Sequence, residues 1–401
     1  MPYRIAGIDV HKRMLAVVVA DVGVETEYVF ERRIVGTTPD QLRTLAAWLS
    51  ERDVEEVVME STAQYWRPVW EVLERQWQPS RRARAEAGPM SGALHLAQAQ
   101  SNQGPRGRKK DFPDAERLVK RLVAHELILS FVPEMTQRLW RTVTRRKDQL
   151  TGNRVQLQNR LESLLEEAHI KVSSLVSDRL GASARRMLRA IASGDTDPAT
   201  VAALGSPRLH ATPAQLCDAL GACHDLQPVY RRLLRMTLEE LDVIEAHIRE
   251  LDEELARLLR PHQAAVQRLA AVPGLGVDSA QQMIAEVGPT AATFATAKRL
   301  ASWVGSCPGD QESAGVNHSH RSPKGNRQMR RLLNQAANAA VKTKGSSCIA
   351  GSSCVSDMRR PSAPSPIACV ASSGRFSMTA SPTRNVGRPS PKREPSDARR
   401  R

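Results

Sequence analysis

Residues 1–75 alternate between strand-favouring and helix-favouring runs, and that order constrains the fold more than anything else in the chain. Tyr3 to Val10 is short, apolar and bounded by polar residues. Leu15 to Val22 and Tyr28 to Val35 are two further runs rich in β-branched residues, with a turn-like His11-Lys12-Arg13 between the first two runs. Gly36-Thr37-Thr38-Pro39-Asp40 supplies an N-cap and a proline for a first helical turn, and Leu42, Leu45, Ala46 and Leu49 follow at helical spacing. Val54 to Glu60 reads as a fourth strand that ends on a carboxylate. Trp66, Val69, Trp70 and Leu73 mark a second helix.

Three strands, a helix, a strand and a helix form the opening of a ribonuclease H-like α/β sheet, an order shared with other α/β folds. Gln76 to Gly92 is basic and aperiodic and reads as a loop or insertion; Ala93 to Ala97 reads as a fifth strand. After the basic loop Ser101 to Lys110, a helix starts near Asp111 with Ala115, Leu118, Val119, Leu122 and Val123 on one face. From about Glu134 to Leu259 the pattern is nearly all helical. Leu241, Ile244, Ile248, Leu251, Leu255 and Leu258 step by three and four as a heptad seam, and Leu150, Leu157, Leu161 and Leu164 form a weaker one. Such seams serve an antiparallel hairpin within the chain or a coiled coil between chains. Val272 to Ala340 is a compact basic helical unit, and beyond Gly345 a Ser/Pro/Arg-rich segment without apolar periodicity reads as disordered. The divisions are therefore 1–133 (α/β), 134–265 (helical, coiled-coil), 266–345 (a mainly α C-terminal domain) and 346–401 (a basic tail).

Charge narrows the partners. With 58 Lys+Arg against 43 Asp+Glu the chain carries +15, as expected for a protein that meets a polyanion. No apolar run approaches the roughly 18 residues of a membrane span, no secretory signal opens the chain, and the six cysteines form no Cys-x-x-Cys pair. The expectation is a cytoplasmic, nucleoid-associated protein with no membrane partner.

Four carboxylates stand out by position. Asp9 follows the apolar Ile5 to Ile8, Glu60 ends its strand, and Asp111 and Asp114 lie three apart at a helix start, on the extension of its apolar stripe. Acidic groups gathered this way repel one another unless a cation sits among them, and oxygen ligands suit Mg²⁺ or Mn²⁺ in phosphodiester chemistry. Each also has a plain structural role: a strand-end turn for Asp9, and helix capping for Glu60, Asp111 and Asp114. Pro273-Gly274-Leu275-Gly276 is a turn between helices whose amides at Gly274 and Gly276 are candidates to hold a phosphate; a tight turn without a ligand is equally consistent. Arg106, Arg108, Lys109 and Lys110 in one loop, and Arg321, Lys324, Arg327 and Arg330 in another, are candidate phosphate contacts or ordinary solvated charge.

Gly7-Ile8-Asp9-Val10-His11-Lys12, Met59-Glu60-Ser61-Thr62, Lys110-Asp111-Phe112-Pro113-Asp114-Ala115 and Val272-Pro273-Gly274-Leu275-Gly276 occur in that order. Ala301-Ser302-Trp303-Val304-Gly305, Glu312-Ser313-Ala314-Gly315 and Lys324-Gly325-Asn326-Arg327 follow. Over residues 1 to 345 this ordered set resembles the DEDD transposases of bacterial insertion sequences of the 110, 116, 902 and 1111 type. The resemblance implies a RuvC-like ribonuclease H domain, a helical coiled-coil region and a C-terminal transposase domain. It implies that Asp9, Glu60, Asp111 and Asp114 hold Mg²⁺ (or Mn²⁺) and that Ser313 is a nucleophile toward DNA. It further implies a structured guide (bridge) RNA, DNA at element ends and target, and assembly as a homodimer or tetramer. The competing expectations are a RuvC-type junction endonuclease using the carboxylates alone, and a non-catalytic nucleic-acid-binding protein.

Overall fold

A computed structural model describes residues 3–22, 28–61, 63–77, 93–99, 101–102, 111–176, 178, 180–307, 312–313, 316–317 and 325–342. The expected insertion at 78–92, most of the basic loop before Asp111 and the tail lie outside the described residues. The chain divides into two compact units, Met1–Arg138 and Leu139–Arg401.

In the first unit, β1 (Arg4–Val10), β2 (Met14–Asp21) and β3 (Phe30–Gly36) form an antiparallel meander. After α1 (Pro39–Glu51), β4 (Glu56–Ser61) returns parallel to β1. After α2 (Trp66–Gln76), β5 (Leu94–Ala97) lies parallel to β4, and the short β6 (Leu129–Ser130) closes the edge antiparallel to β5. The six-stranded order is β3-β2-β1-β4-β5-β6. An antiparallel meander continued by parallel strands on the side of β1 makes this a ribonuclease H-like α/β domain.

Both faces of the sheet are covered, which is why β1, β2 and β4 read as nearly continuous apolar runs. Ile8, Val10, Val17, Val19, Val57 and Met59 pack against Leu42, Leu45 and Leu49 of α1 and Val69 and Leu73 of α2. On the opposite face Ile5, Val18, Ala20 and Val58 meet α3 (Asp111–Val123) through Ala115, Leu118 and Val119. Pro39 opens α1 as expected, but Thr38 makes no capping bond to the helix; its hydroxyl donates to Gln41 Oε1. The two-residue β6 was too short to leave a period in the sequence.

The second unit is helical and holds two cores. The long α4 (Met135–Glu167), α5 (Val172–Leu175), α6 (Ala182–Ser193), α7 (Pro198–Ala203), α8 (Pro213–Ala219) and the first part of α9 (Pro228–Leu258) enclose one around Leu161, Met187, Leu188 and Leu241. The other gathers Trp140, Leu255 and Leu259 with α10 (Gln263–Ala270), α11 (Val277–Val287), α12 (Ala297–Val304) and α13 (Arg327–Lys342). Arg154 Nε donates to Glu245 at 2.8 Å, and Lys147, seven residues earlier, reaches Asp252, seven residues later. The reversed order shows that α4 and α9 run antiparallel, so the seam pairs within the chain: Leu241 and Leu255 are buried, and Ile244, Ile248, Leu251 and Leu258 are half-buried. No described helix is long and apolar enough to cross a membrane.

At Gly7 α3 packs closely against the sheet. A Cβ there would lie 2.3 Å from the Ala115 carbonyl oxygen and 2.9 Å from Val119 Cγ2. Gly7→Ala should therefore lower the unfolding free energy by about 1–3 kcal/mol, the usual range for forcing a methyl into a packed site. Denaturant titration of the full chain checks this; an unchanged midpoint would mean α3 can shift freely.

Candidate active site

Parallel pairing of β1 and β4 sets Asp9 directly beside Glu60. Along each strand alternate side chains share a face, so Asp9 lies on the face of Ile5 and Gly7, and Glu60 on the face of Val58. That is the face α3 covers, and α3 begins at the end where these two strands stop. Asp111 and Asp114 occupy its first turn. The four carboxylates thus converge at one corner of the sheet.

His11 joins them. Its Nε2 lies 3.1 Å from Asp9 Oδ2 and 3.4 Å from Asp111 Oδ1. Ligand atoms of Asp9, His11 and Asp111 all fall within 4.8 Å of one another. Burial pushes the Asp9 carboxyl above its ordinary value; His11 opposes this, and the negative charges of Glu60, Asp114 and Asp111 add to it. Oxygen-rich donors, crowded until one of them resists ionisation, fit a hard divalent cation.

Three further neighbours were not among the expected site residues. His11 lay in a segment that reads as a turn. Arg117 donates to Asp114 Oδ1 and, from Nε, to the Asn102 carbonyl at 3.1 Å; Asn102 Nδ2 donates to Glu60 Oε2. The i,i+3 spacing of Asp114 and Arg117 was visible; the Asn102 link spans 42 residues and was not.

Elsewhere the expected residues fare differently. Arg106, Arg108, Lys109, Lys110, Arg321 and Lys324 lie outside the described residues. Gly274 has φ +84°, and a Cβ there would lie 2.2 Å from the Ala336 carbonyl oxygen, so its place in the turn serves close packing against α13. Gly276, in contrast, is exposed with nothing near its missing Cβ. Arg327 is exposed, whereas Arg330 Nε and Nη2 donate to the Val304 carbonyl at 3.3 and 3.2 Å.

Ser313 lies in β7 (Glu312–Ser313), which pairs antiparallel with β8 (Val316–Asn317), Ser313 opposite Val316. The segment carrying this hairpin starts and ends at one place. Asn326 N donates to the Trp303 carbonyl at 3.1 Å, and Gly325 rests against Val304 and Gly305 so closely that a Cβ would not fit. Asn326 Nδ2 donates to Glu286 Oε2 at 2.7 Å, and Arg145 grips the same buried carboxylate at 3.0 and 3.1 Å.

A carboxylate corner on a ribonuclease H-like sheet is an arrangement suited to phosphodiester chemistry with a divalent cation. Residues 6–170 match the profile described as "Transposase" of the DEDD, IS110 type, and residues 266–349 match "Transposase IS116/IS110/IS902 family". The chain belongs to this family of insertion-sequence transposases. Among solved structures it is similar to the Thermus thermophilus RuvC structure, 14% identical over 32% of this chain and 99% of that one, with a TM-score of 0.20. No curated protein matches the chain.

Crowded carboxylates oppose folding when no cation is present. Asp9→Asn should raise the thermal midpoint in chelator while removing any stabilisation by Mg²⁺. A midpoint that falls in chelator would show that the ionised Asp9 is stabilised by its surroundings.

Proposed function

We propose that this transposase exchanges DNA strands at the ends of its own insertion sequence, Asp9, Glu60, Asp111 and Asp114 holding Mg²⁺ (or Mn²⁺) and Ser313 attacking the phosphodiester. The observation that carries this is the register of Asp9 beside Glu60 under the acidic first turn of α3. A divalent cation held there supplies charge neutralisation and Lewis-acid activation at a phosphate. The chain's own part is to hold the oxygen donors in place: Asp9 and Glu60 by strand pairing, Asp111 and Asp114 by the helix start, with His11 Nε2 between Asp9 and Asp111.

In the covalent step the Ser313 Oγ–P bond forms as the bond from phosphorus to a deoxyribose oxygen breaks. The hydroxyl proton passes to a base, and the departing oxygen is protonated. Serine needs such help at neutral pH, and Glu312, His318, His320 and Arg321 are close in sequence. Carboxylates and serine belong to different compact units; the reading joins them in an assembly of two or four chains, guided by a structured RNA from the element.

Chelator should abolish strand exchange, and Ser313→Ala should eliminate a denaturation-resistant protein–DNA adduct while DNA binding persists. Adduct surviving the substitution, or cleavage proceeding normally without Ser313, would favour the RuvC-type hydrolase that uses water.

Arg106, Arg108, Lys109, Lys110, Arg321, Lys324 and Arg327, with the amide of Gly276, are proposed phosphate contacts. Each neutralised phosphate contributes about −0.9 to the log–log salt slope on duplex DNA. Neutralising Arg108, Lys109 and Lys110 together should flatten the slope by roughly two to three units; an unchanged slope would make them ordinary surface charge.

A further inference from the structure

Asn102 is buried to 3% exposure at the carboxylate corner, and its side chain is half satisfied. A carboxylate only accepts, so the amide atom facing Glu60 is Nδ2, which turns Oδ1 the other way. Oδ1 is buried and has no hydrogen-bond partner among the described residues. A buried amide oxygen left this way is destabilising. Asn102 is nevertheless held firmly: Arg117 Nε donates to its carbonyl at 3.1 Å, and Arg121, one turn further along α3, donates to the carbonyl of Ser101. Ser101 in turn closes a tight turn on Gln98, its amide donating to the Gln98 carbonyl at 2.9 Å.

The same Arg117 also donates to Asp114. Glu60 on β4 and Asp114 on α3 are therefore connected by one chain of hydrogen bonds, Glu60–Asn102–Arg117–Asp114. Strand pairing places Asp9 and Glu60 side by side but leaves the Glu60 carboxylate three rotatable bonds from its backbone. The amide of Asn102 restrains that freedom, and Arg117 ties the restraint to the helix that carries the other two acids.

We infer that Asn102, fixed by Arg117, is a positioning residue of the metal centre: its amide holds the Glu60 carboxylate in place beside Asp9 for a divalent cation. The inference rests on the proposed reading of the four carboxylates as cation ligands. Partners that orient ligands in this way typically contribute about 10- to 100-fold to metal affinity.

The test is Mn²⁺ titration of the full chain by calorimetry, with the unfolding midpoint in chelator measured alongside. Asn102→Ala should weaken Mn²⁺ binding about 10- to 100-fold with the midpoint in chelator lowered little, and Asn102→Leu, which keeps the volume and removes both polar atoms, should do the same. Asp9→Asn serves as the control for the carboxylate site. Wild-type Mn²⁺ affinity in both Asn102 variants, with binding lost in Asp9→Asn, would overturn the role of Asn102 and leave the carboxylate reading standing. Mn²⁺ binding unaffected by Asp9→Asn, or absent from the wild-type chain, would remove the carboxylate reading and this inference with it.

Discussion

Between Gly7 and the backbone of Ala115 there is room for a hydrogen atom and not for a methyl group. Helix α3 comes down onto β1 at that point, two residues before Asp9 on the same face of the strand. Because α3 starts at the end where β1 and β4 finish, its acidic first turn is carried to Asp9 and Glu60. The outcome is electrostatically unfavourable, since burial and three neighbouring carboxylates all push the Asp9 carboxyl upward against His11 alone. Apolar packing by Leu118, Val119 and Ala115 against both β1 and β4 holds the arrangement together. A hydrophobic interface thus sustains a cluster of charge that a cation would relieve.

The second unit relies on a different device. Two long antiparallel helices are each shared between two apolar cores, and charged pairs such as Arg154–Glu245 and Lys147–Asp252 set their register. At one end Glu286 is nearly fully buried, a situation tolerable for a carboxylate only when it is paired. Its partners include Arg141 and Arg145 from α4 and Asn326 from the turn before α13, so one buried anion joins three separate parts of the chain. Asn326 also accepts from the Met329 amide and caps α13. The base of the Ser313 segment is closed by this network.

Much of this was legible in the chain. Continuous apolar runs bounded by turn residues located five of the six strands, and Pro39 and the Asp111–Asp114 pair marked helix starts, because strand and helix periods are local properties. The carboxylates could be singled out because strand ends and helix starts are themselves local features. What escaped was whatever depends on distant segments meeting. Gly274, a candidate phosphate turn, also admits α13, and Arg330, a candidate phosphate contact, also holds the Val304 carbonyl.

The sequence by itself determined the alternation of elements, the acid at each strand end and helix start, and the ordered motifs that assign the family, since these are written in spacing along one chain. Tertiary structure decided how those acids are held. The register that sets Asp9 against Glu60 follows from pairing strands separated by 45 residues of intervening chain. Asn102 reaches Glu60, and Arg117 reaches Asn102, only because α3 folds back across the sheet. No period or composition encodes such contacts, because the free energy that selects them comes from packing whole faces together and not from the residues that end up touching.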